Sequence, residues 1–212
     1  MSALCSRHHA AELRRRMTIP WSVLLAALLL GAIALLGGCA SKDNLEVKQI
    51  DCNAAGLQVG VPCGGGIVYD LNHQGAGIVL TVHPADFPSA QYRTTNAASP
   101  PPAQNLDDGR ANSGTFAPDH PAAWLCQGLV DFGHDDWYLP AANELSAMYD
   151  PGNAGMVPGL VLGEYWSSSE YSVTPTNALT VDFSGGPVPF ANGKNYNVPG
   201  VRCIRRAKAA FF

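Results

Sequence analysis

The chain predicts an α+β fold, helices packed on a twisted antiparallel sheet of short strands, and three observations predict it. Two β-rich runs, Ile67–Leu71 and Ile78–Val82, flank the turn-like Asn72-His73-Gln74-Gly75, which is the pattern of a hairpin. Helical periodicity is confined to the stretch from Pro121 to Tyr149. From residue 164 onward, short strand-like segments are separated by Gly/Asn turns. A hairpin, then helices, then strands is the element order of helices lying on an antiparallel sheet.

The chain opens on a segment outside that fold. Arg14, Arg15 and Arg16 form a positive region, Trp21 to Leu36 is almost wholly apolar, and Gly37-Gly38 place small residues before Cys39. This is the pattern of a lipoprotein signal peptide, in which the peptidase needs small side chains and the lipid needs the thiol. Residues 1–38 are therefore read as the signal peptide, and Cys39 as the lipidated first residue of the mature chain. The apolar run of about 16 residues is short for a membrane span, which needs roughly 20. Ala40 follows Cys39, where an aspartate would favour inner-membrane retention. By resemblance to Gram-negative lipoproteins, the expected location is the outer membrane, facing the periplasm or the cell surface.

Residues 39–59 are read as the lipidated cysteine and a tether, 60–206 as one domain and 207–212 as a tail. The first 38 residues hold four of the 13 Lys/Arg and one of the 17 Asp/Glu, leaving 9 against 16 in the mature chain, a formal charge of −7. A nucleic-acid binder carries a basic footprint, and this chain does not. Cys5 and Cys39 aside, the mature chain has four cysteines: Cys52, Cys63, Cys126 and Cys203. They allow three pairings. Cys52 and Cys63 are close enough to staple a local loop, and the other two would then tie mid-chain to the last strand. An exported chain favours oxidation, and the spacings contain no CxxC knuckle for a metal.

The hairpin runs follow Gly64-Gly65-Gly66, which is not a phosphate loop because no Gly-Lys-Ser/Thr follows. Residues 84–121 hold seven prolines and few aliphatics, and they read as an irregular loop. Its middle, Asn105 to Ser113, offers oxygen ligands but lacks the Glu-terminated spacing of a calcium loop. It is read either as a solvated loop or as one that holds a ligand or a structural calcium. No other cofactor is expected. Pro121 suits the first turn of a helix that carries Cys126. Pro140 starts a second helix, with Ala141, Leu145, Met148 and Tyr149 as its apolar stripe and Asp150-Pro151-Gly152 as its stop. Tyr165–Ser169, Ala178–Phe183, Val188–Phe190 and Val201–Ile204 are the later strands.

Four stretches together point to a family. They are Gly65-Gly66-Ile67-Val68-Tyr69, Asp136-Trp137-Tyr138-Leu139-Pro140 with Asn143-Glu144-Leu145, Tyr165-Trp166-Ser167-Ser168-Ser169-Glu170, and Val201-Arg202-Cys203-Ile204-Arg205. Over roughly residues 60–206 the chain resembles the C-terminal domain of the Legionella collagen-like adhesin and its bacterial relatives. The resemblance implies a C-type-lectin-like fold, with two helices flanking a twisted sheet and a bridge between Cys126 and Cys203. The chain has no collagen-like Gly-x-y stalk, so the adhesin's reach and multivalency do not follow. The fold hosts glycan binders, protein binders and, more distantly, a formylglycine-generating oxidase, so function must be argued from the site.

Ser167–Ser169 with His134 and Asp135 could be drawn as a hydrolase set, but no Gly-x-Ser-x-Gly elbow is present. His73, His83, His120 and His134 lack zinc spacing and read as surface histidines. Glu144 reads as a helix cap. Trp137 and Trp166 suit either the core or a stacked sugar ring. Recognition usually resides on loops held by a rigid frame. The candidate ligand-binding residues are accordingly Asp107, Asp108, Arg110 and Asn112 in the long loop, Trp166, and Asn192, Lys194, Asn195 and Tyr196 before the last strand. The leading expectation is a lipid-anchored, non-catalytic envelope module whose partner is a glycan, a cell-wall polymer or an envelope protein. The alternatives are a structural or assembly lipoprotein and an exported enzyme on the oxidase-like scaffold.

Overall fold

Period-two alternation makes the first sheet a buried one. Strand β2 (Gly66–His73) sends Ile67 and Tyr69 to one side and Val68 to the other. Strand β3 (Ile78–Val82) sends Leu80 and Val82 to the first side and Val79 to the second. Residues that alternate this way line opposite faces of a strand. The two strands pair antiparallel, Ile67 opposite Val82, with irregularities toward the turn. At that turn Gln74 (φ 54°), Gly75 (71°) and Gly77 (67°) are left-handed, and Asn72 Oδ1 accepts the Gly77 N–H at 2.8 Å. The hairpin extends into a four-stranded sheet in the order β1-β2-β3-β7, where β1 is Pro62–Cys63 and β7 is Ile204–Ala207.

This computed structural model describes residues 51–207 except 53, 99–102, 117, 150–156, 158 and 159, all within the unit Val47–Phe212. The signal peptide, Cys39, the first part of the tether, the Asp150-Pro151-Gly152 stop and residues 208–212 lie outside the described residues. Among the described residues, no helix is long and apolar enough to cross a membrane.

Among the described residues, three short helices pack beside the strands. Helix α1 is Gly109–Ser113, α2 is Pro121–Gln127 and α3 is Ala142–Ser146. Pro121 starts α2 as expected, and Ala122, Ala123 and Cys126 form its buried face. Cys126 is bridged to Cys203 over 77 residues, and Cys52 to Cys63 over 11. A second sheet, in the order β4-β5-β6, consists of Glu164–Glu170, Asn177–Asp182 and Val188–Gly193, all antiparallel. Its two faces feed two cores. Tyr165 and Val181, with Phe183 just past β5, join Ile67, Leu80 and Ile204. Trp166 and Ala178 join the Cys126–Cys203 bridge, Trp137, Leu139 and Tyr92.

The fold is α+β with helices on curled antiparallel sheets and two disulfides, in agreement with a C-type-lectin-like architecture. Three details differ from the sequence reading. The strands divide into two sheets, not one. The last strand starts at Ile204, so Cys203 immediately precedes it, although its carbonyl still accepts from His83 N at 2.9 Å. The segment read as an irregular loop contains α1. That helix has no apolar stripe to betray it, since its buried residues are Gly109, Asn112 and Ser113.

One partly buried ion pair locks β7 to Asp136, just before Trp137 of the second core. Arg205 donates to both Asp136 carboxylate oxygens at 2.7 and 3.1 Å, and to the Gly64 carbonyl at 2.6 Å. Partial burial pushes the Asp136 pKa up, but the Arg205 hydrogen bonds and charge outweigh it and hold the carboxyl below its ordinary 3.8. A carboxylate lowered in the folded state contributes stability above its unfolded pKa and loses it as pH falls through the folded value. Asp136→Asn is therefore expected to lose about 1 kcal/mol at neutral pH. In urea melts, that difference from wild type should shrink once pH drops below the ordinary carboxylate value. A constant difference across the acid range would refute the pair as its source.

Candidate ligand-binding surface

The long loop is held by its own polar side chains. Asn112 donates through Nδ2 to the Asn105 carbonyl (2.6 Å) and to Ser168 Oγ (3.1 Å), while its Oδ1 accepts from Asn105 N (3.0 Å). Asp108 caps α1 by accepting from Ala111 N at 2.9 Å, and it pairs with Arg206 at 2.9 Å. Asp107 Oδ1 accepts from Asn143 at 2.6 Å. His73 spans Asp70 Oδ2 and the Asp107 carbonyl, at 3.0 Å each. The loop oxygens read as ligands are thus largely engaged in fixing the loop. Among the described residues, no group of three or more His, Cys, Asp or Glu is placed to hold a metal.

Beneath this loop Glu144 is fully buried. Its Oε2 accepts from Ala141 N and Gly109 N, both at 2.9 Å, so it caps α3 and also anchors α1. Its Oε1 accepts from Tyr138 Oη at 3.0 Å and from Arg206 at 3.1 Å. A carboxylate with that many donors is a structural hub.

Three of the candidate residues lie inside the protein and not on its surface. Asn112, Trp166 and Lys194 are buried, and each is engaged from within. Trp166 donates its indole N–H to the Ala90 carbonyl at 2.7 Å. Lys194 Nζ lies 2.6 Å from Glu170 Oε1, with both side chains out of solvent, and 5.9 Å from the Tyr92 ring centre. Tyr92 donates to the Ser168 carbonyl at 3.0 Å, and burial followed by the Glu170 charge pushes its pKa well above 10. The histidines also differ from expectation, since His73, His83 and His120 are buried. His83 packs edge-on to Trp137 at 4.9 Å and reaches Asp131 at 3.1 Å.

Arg110, Asn195 and Tyr196 are exposed, and Asp107, Asp108 and Asn192 are partly exposed. They do not converge on one centre. The loop residues are organised by Asn143, Ser168 and Arg206, whereas Asn195 is held by Asn96 (2.9 Å) and Gln91 (2.8 Å).

Asn192 leads to residues the sequence reading missed. Its Nδ2 donates to Glu164 Oε1 and, at 2.8 Å, to Thr180 Oγ1. The Thr180 hydroxyl donates to the same Glu164 oxygen at 2.5 Å. Register places Val188, Phe190 and Asn192 on one face of β6, opposite Asp182, Thr180 and Ala178. Phe190 is 49% exposed and Val188 50%. The available signal was the period-two Val-Pro-Phe-Ala-Asn run, in which Pro189 marks an edge strand. An aromatic on an edge strand beside an amide was legible, but its partnership with Glu164 was not.

The serines drawn as nucleophiles are not assembled as such. Ser167 and Ser169 donate to the Leu179 and Asn105 carbonyls at 2.8 Å, Ser168 accepts from Asn112, and all three are fully buried.

A disulfide-braced α+β frame that holds polar loops is the architecture of a binding-type domain. The chain belongs to the Lcl C-terminal domain family, whose sequence model matches residues 86–205. The match omits the β2–β3 hairpin, although β3 pairs with the two residues of β7 that lie within it, Val82 opposite Ile204 and Thr81 opposite Arg205. No curated protein and no solved structure matches the chain.

Proposed function

We propose that this protein is a lipid-anchored envelope lipoprotein whose Lcl-family domain is a recognition module, presented at the outer membrane for a glycan or protein partner. The observation that carries this reading is the Leu36-Gly37-Gly38-Cys39 junction upstream of a disulfide-braced domain of that family. The bridges suit an oxidising compartment, and the buried Lys194–Glu170 pair and the Asn112 hydrogen bonds give exposed loop residues such as Arg110, Asn195 and Tyr196 a fixed base.

The anchor is tested by producing the full-length chain in a Gram-negative host fed labelled palmitate. Wild type is expected in the outer-membrane fraction carrying label. Cys39→Ala is expected to lose the label and leave that fraction; label retained by the variant would refute the anchor. Recognition is tested by presenting the full-length chain in detergent micelles to glycans, peptidoglycan and purified envelope proteins, with calcium and with chelator. Saturable binding supports a module, and a blank on every surface in both conditions overturns it.

A further inference from the structure

We infer that the partly exposed margin of the β4-β5-β6 face that carries Trp166, toward the edge strand β6, holds a saccharide subsite formed by Glu164, Asn192 and Phe190 and braced by the buried Thr180, selective for uncharged or amino-bearing sugars. This rests on the reading of the chain as a recognition module.

The hydrogen-bonding groups left over in this cluster decide what it can bind. A carboxylate oxygen only accepts, so Asn192 must turn its Nδ2 toward Glu164, as observed. The two hydrogens of that amide are directed at Glu164 Oε1 and Thr180 Oγ1. The Thr180 hydroxyl proton is directed at Glu164 Oε1. Every donor of the cluster is therefore engaged. Two acceptors are not: Glu164 Oε2 and Asn192 Oδ1 have no hydrogen-bond partner among the described residues. A ligand here must supply donors. The mutual hydrogen bonds fix the side chains in advance, so little rotamer entropy is lost on binding.

Phe190 sets the second requirement. It stands two residues from Asn192 on the same strand face, a separation of roughly 7 Å, and about half its surface is exposed. A ring beside paired acceptors matches a pyranose, which has an apolar C–H face and equatorial hydroxyl donors. Pocket-lining surfaces of this kind combine apolar contact with a few placed polar groups. Val188 extends the apolar strip by one more position.

Charge sets the third. Glu164 and, on the same face, Asp182 are acidic, and no basic side chain is hydrogen-bonded to Glu164. Sulfated or uronic-acid saccharides would meet like charge. Neutral, N-acetylated or amino sugars would not. Pro189 leaves the edge strand one donor short for adding a partner strand, which favours a ligand lying on the face over a peptide pairing with the edge.

The test uses the full-length chain in detergent micelles, titrated with maltotriose, cellotriose, mannotriose, chitotriose, glucosamine and a heparin hexasaccharide. At least one uncharged or amino-bearing probe should bind saturably, and the heparin fragment should not compete for that site. Phe190→Ala and Glu164→Gln should each weaken binding at least tenfold, with the melting temperature of Phe190→Ala close to wild type. The amide replacing the carboxylate must turn its NH2 either toward the Asn192 donors or into the vacant acceptor position, so it is isosteric but wrong in polarity. Trp124→Ala, an exposed aromatic on α2, should bind as wild type does. Saccharide binding unchanged in both site variants would overturn the subsite and leave the module reading standing. Preference for the heparin fragment, or a blank on all saccharides, would also overturn it. The module reading itself falls only if the peptidoglycan and protein arms are blank as well.

Discussion

Replacing Cys126 and Cys203 together by alanine is expected to lower the unfolding free energy by about 4 kcal/mol, against about 3 for the pair Cys52 and Cys63. The difference comes from the unfolded chain. Closing a loop of 77 residues removes more conformational freedom than closing one of 11. The native side adds to it, because both sulfurs of the longer bridge lie in the core among Trp137, Leu139, Trp166 and Val201. Urea unfolding of the oxidised variants and wild type measures the effect. An equal or larger loss from the short bridge would show that chain entropy is not what the long one contributes. A functional consequence accompanies the loss of stability. Trp166 sits on the face of β4 that carries Glu164 and packs on the bridge, so loosening the bridge should weaken any binding at Glu164 before the domain unfolds.

What the sequence discloses here depends on how far apart the interacting residues lie. Strands that alternate apolar and other residues, such as Ile67-Val68-Tyr69 and Ala178–Phe183, can be found from a handful of neighbours because each position's face is set by parity. Pro121 likewise marks α2 locally. Helix α1 escapes because its evidence is distant. Gly109 is required by close packing, since a Cβ there would lie 2.5 Å from Ala141 N and Leu139 O, and the Asn112 amide is matched by Ser168. The same blindness explains Lys194, which looks like an exposed loop cation until Glu170, at the end of β4, is brought to it. Polar residues invite a functional reading when their partners are out of view. Glu164, Thr180 and Asn192 show the converse, for none stands out alone and only strand register assembles them.

Glu144→Ala is expected to cost about 4 kcal/mol, because removing one partner of a buried pair leaves the others unsatisfied. Four donors converge on this carboxylate: the backbone N–H groups of Gly109 and Ala141, the Tyr138 hydroxyl and the Arg206 guanidinium. Arg206 retains Asp108, but the two amides that open α1 and α3 have no replacement acceptor in place. Glu144→Gln keeps the shape and should cost about 2 kcal/mol, since the amide must point its NH2 at one pair of donors. Tyr138 supplies a readout that mere loss of packing would not move. Burial, and then the Glu144 charge, push the Tyr138 phenol far above its usual value, with Arg206 opposing. Tyr69 is raised by the same two causes in the same order. Removing the negative charge while keeping the side chain's volume should therefore lower both phenols in an ultraviolet alkaline titration of Glu144→Gln. If the phenols titrate as in wild type while stability falls, Glu144 acts through packing alone and the electrostatic hub is wrong. If they shift downward, one carboxylate couples the loop carrying Asp107, Asp108 and Arg110 to the sheet beneath it, and the exposed residues of that loop owe their fixed positions to a charge that never meets solvent.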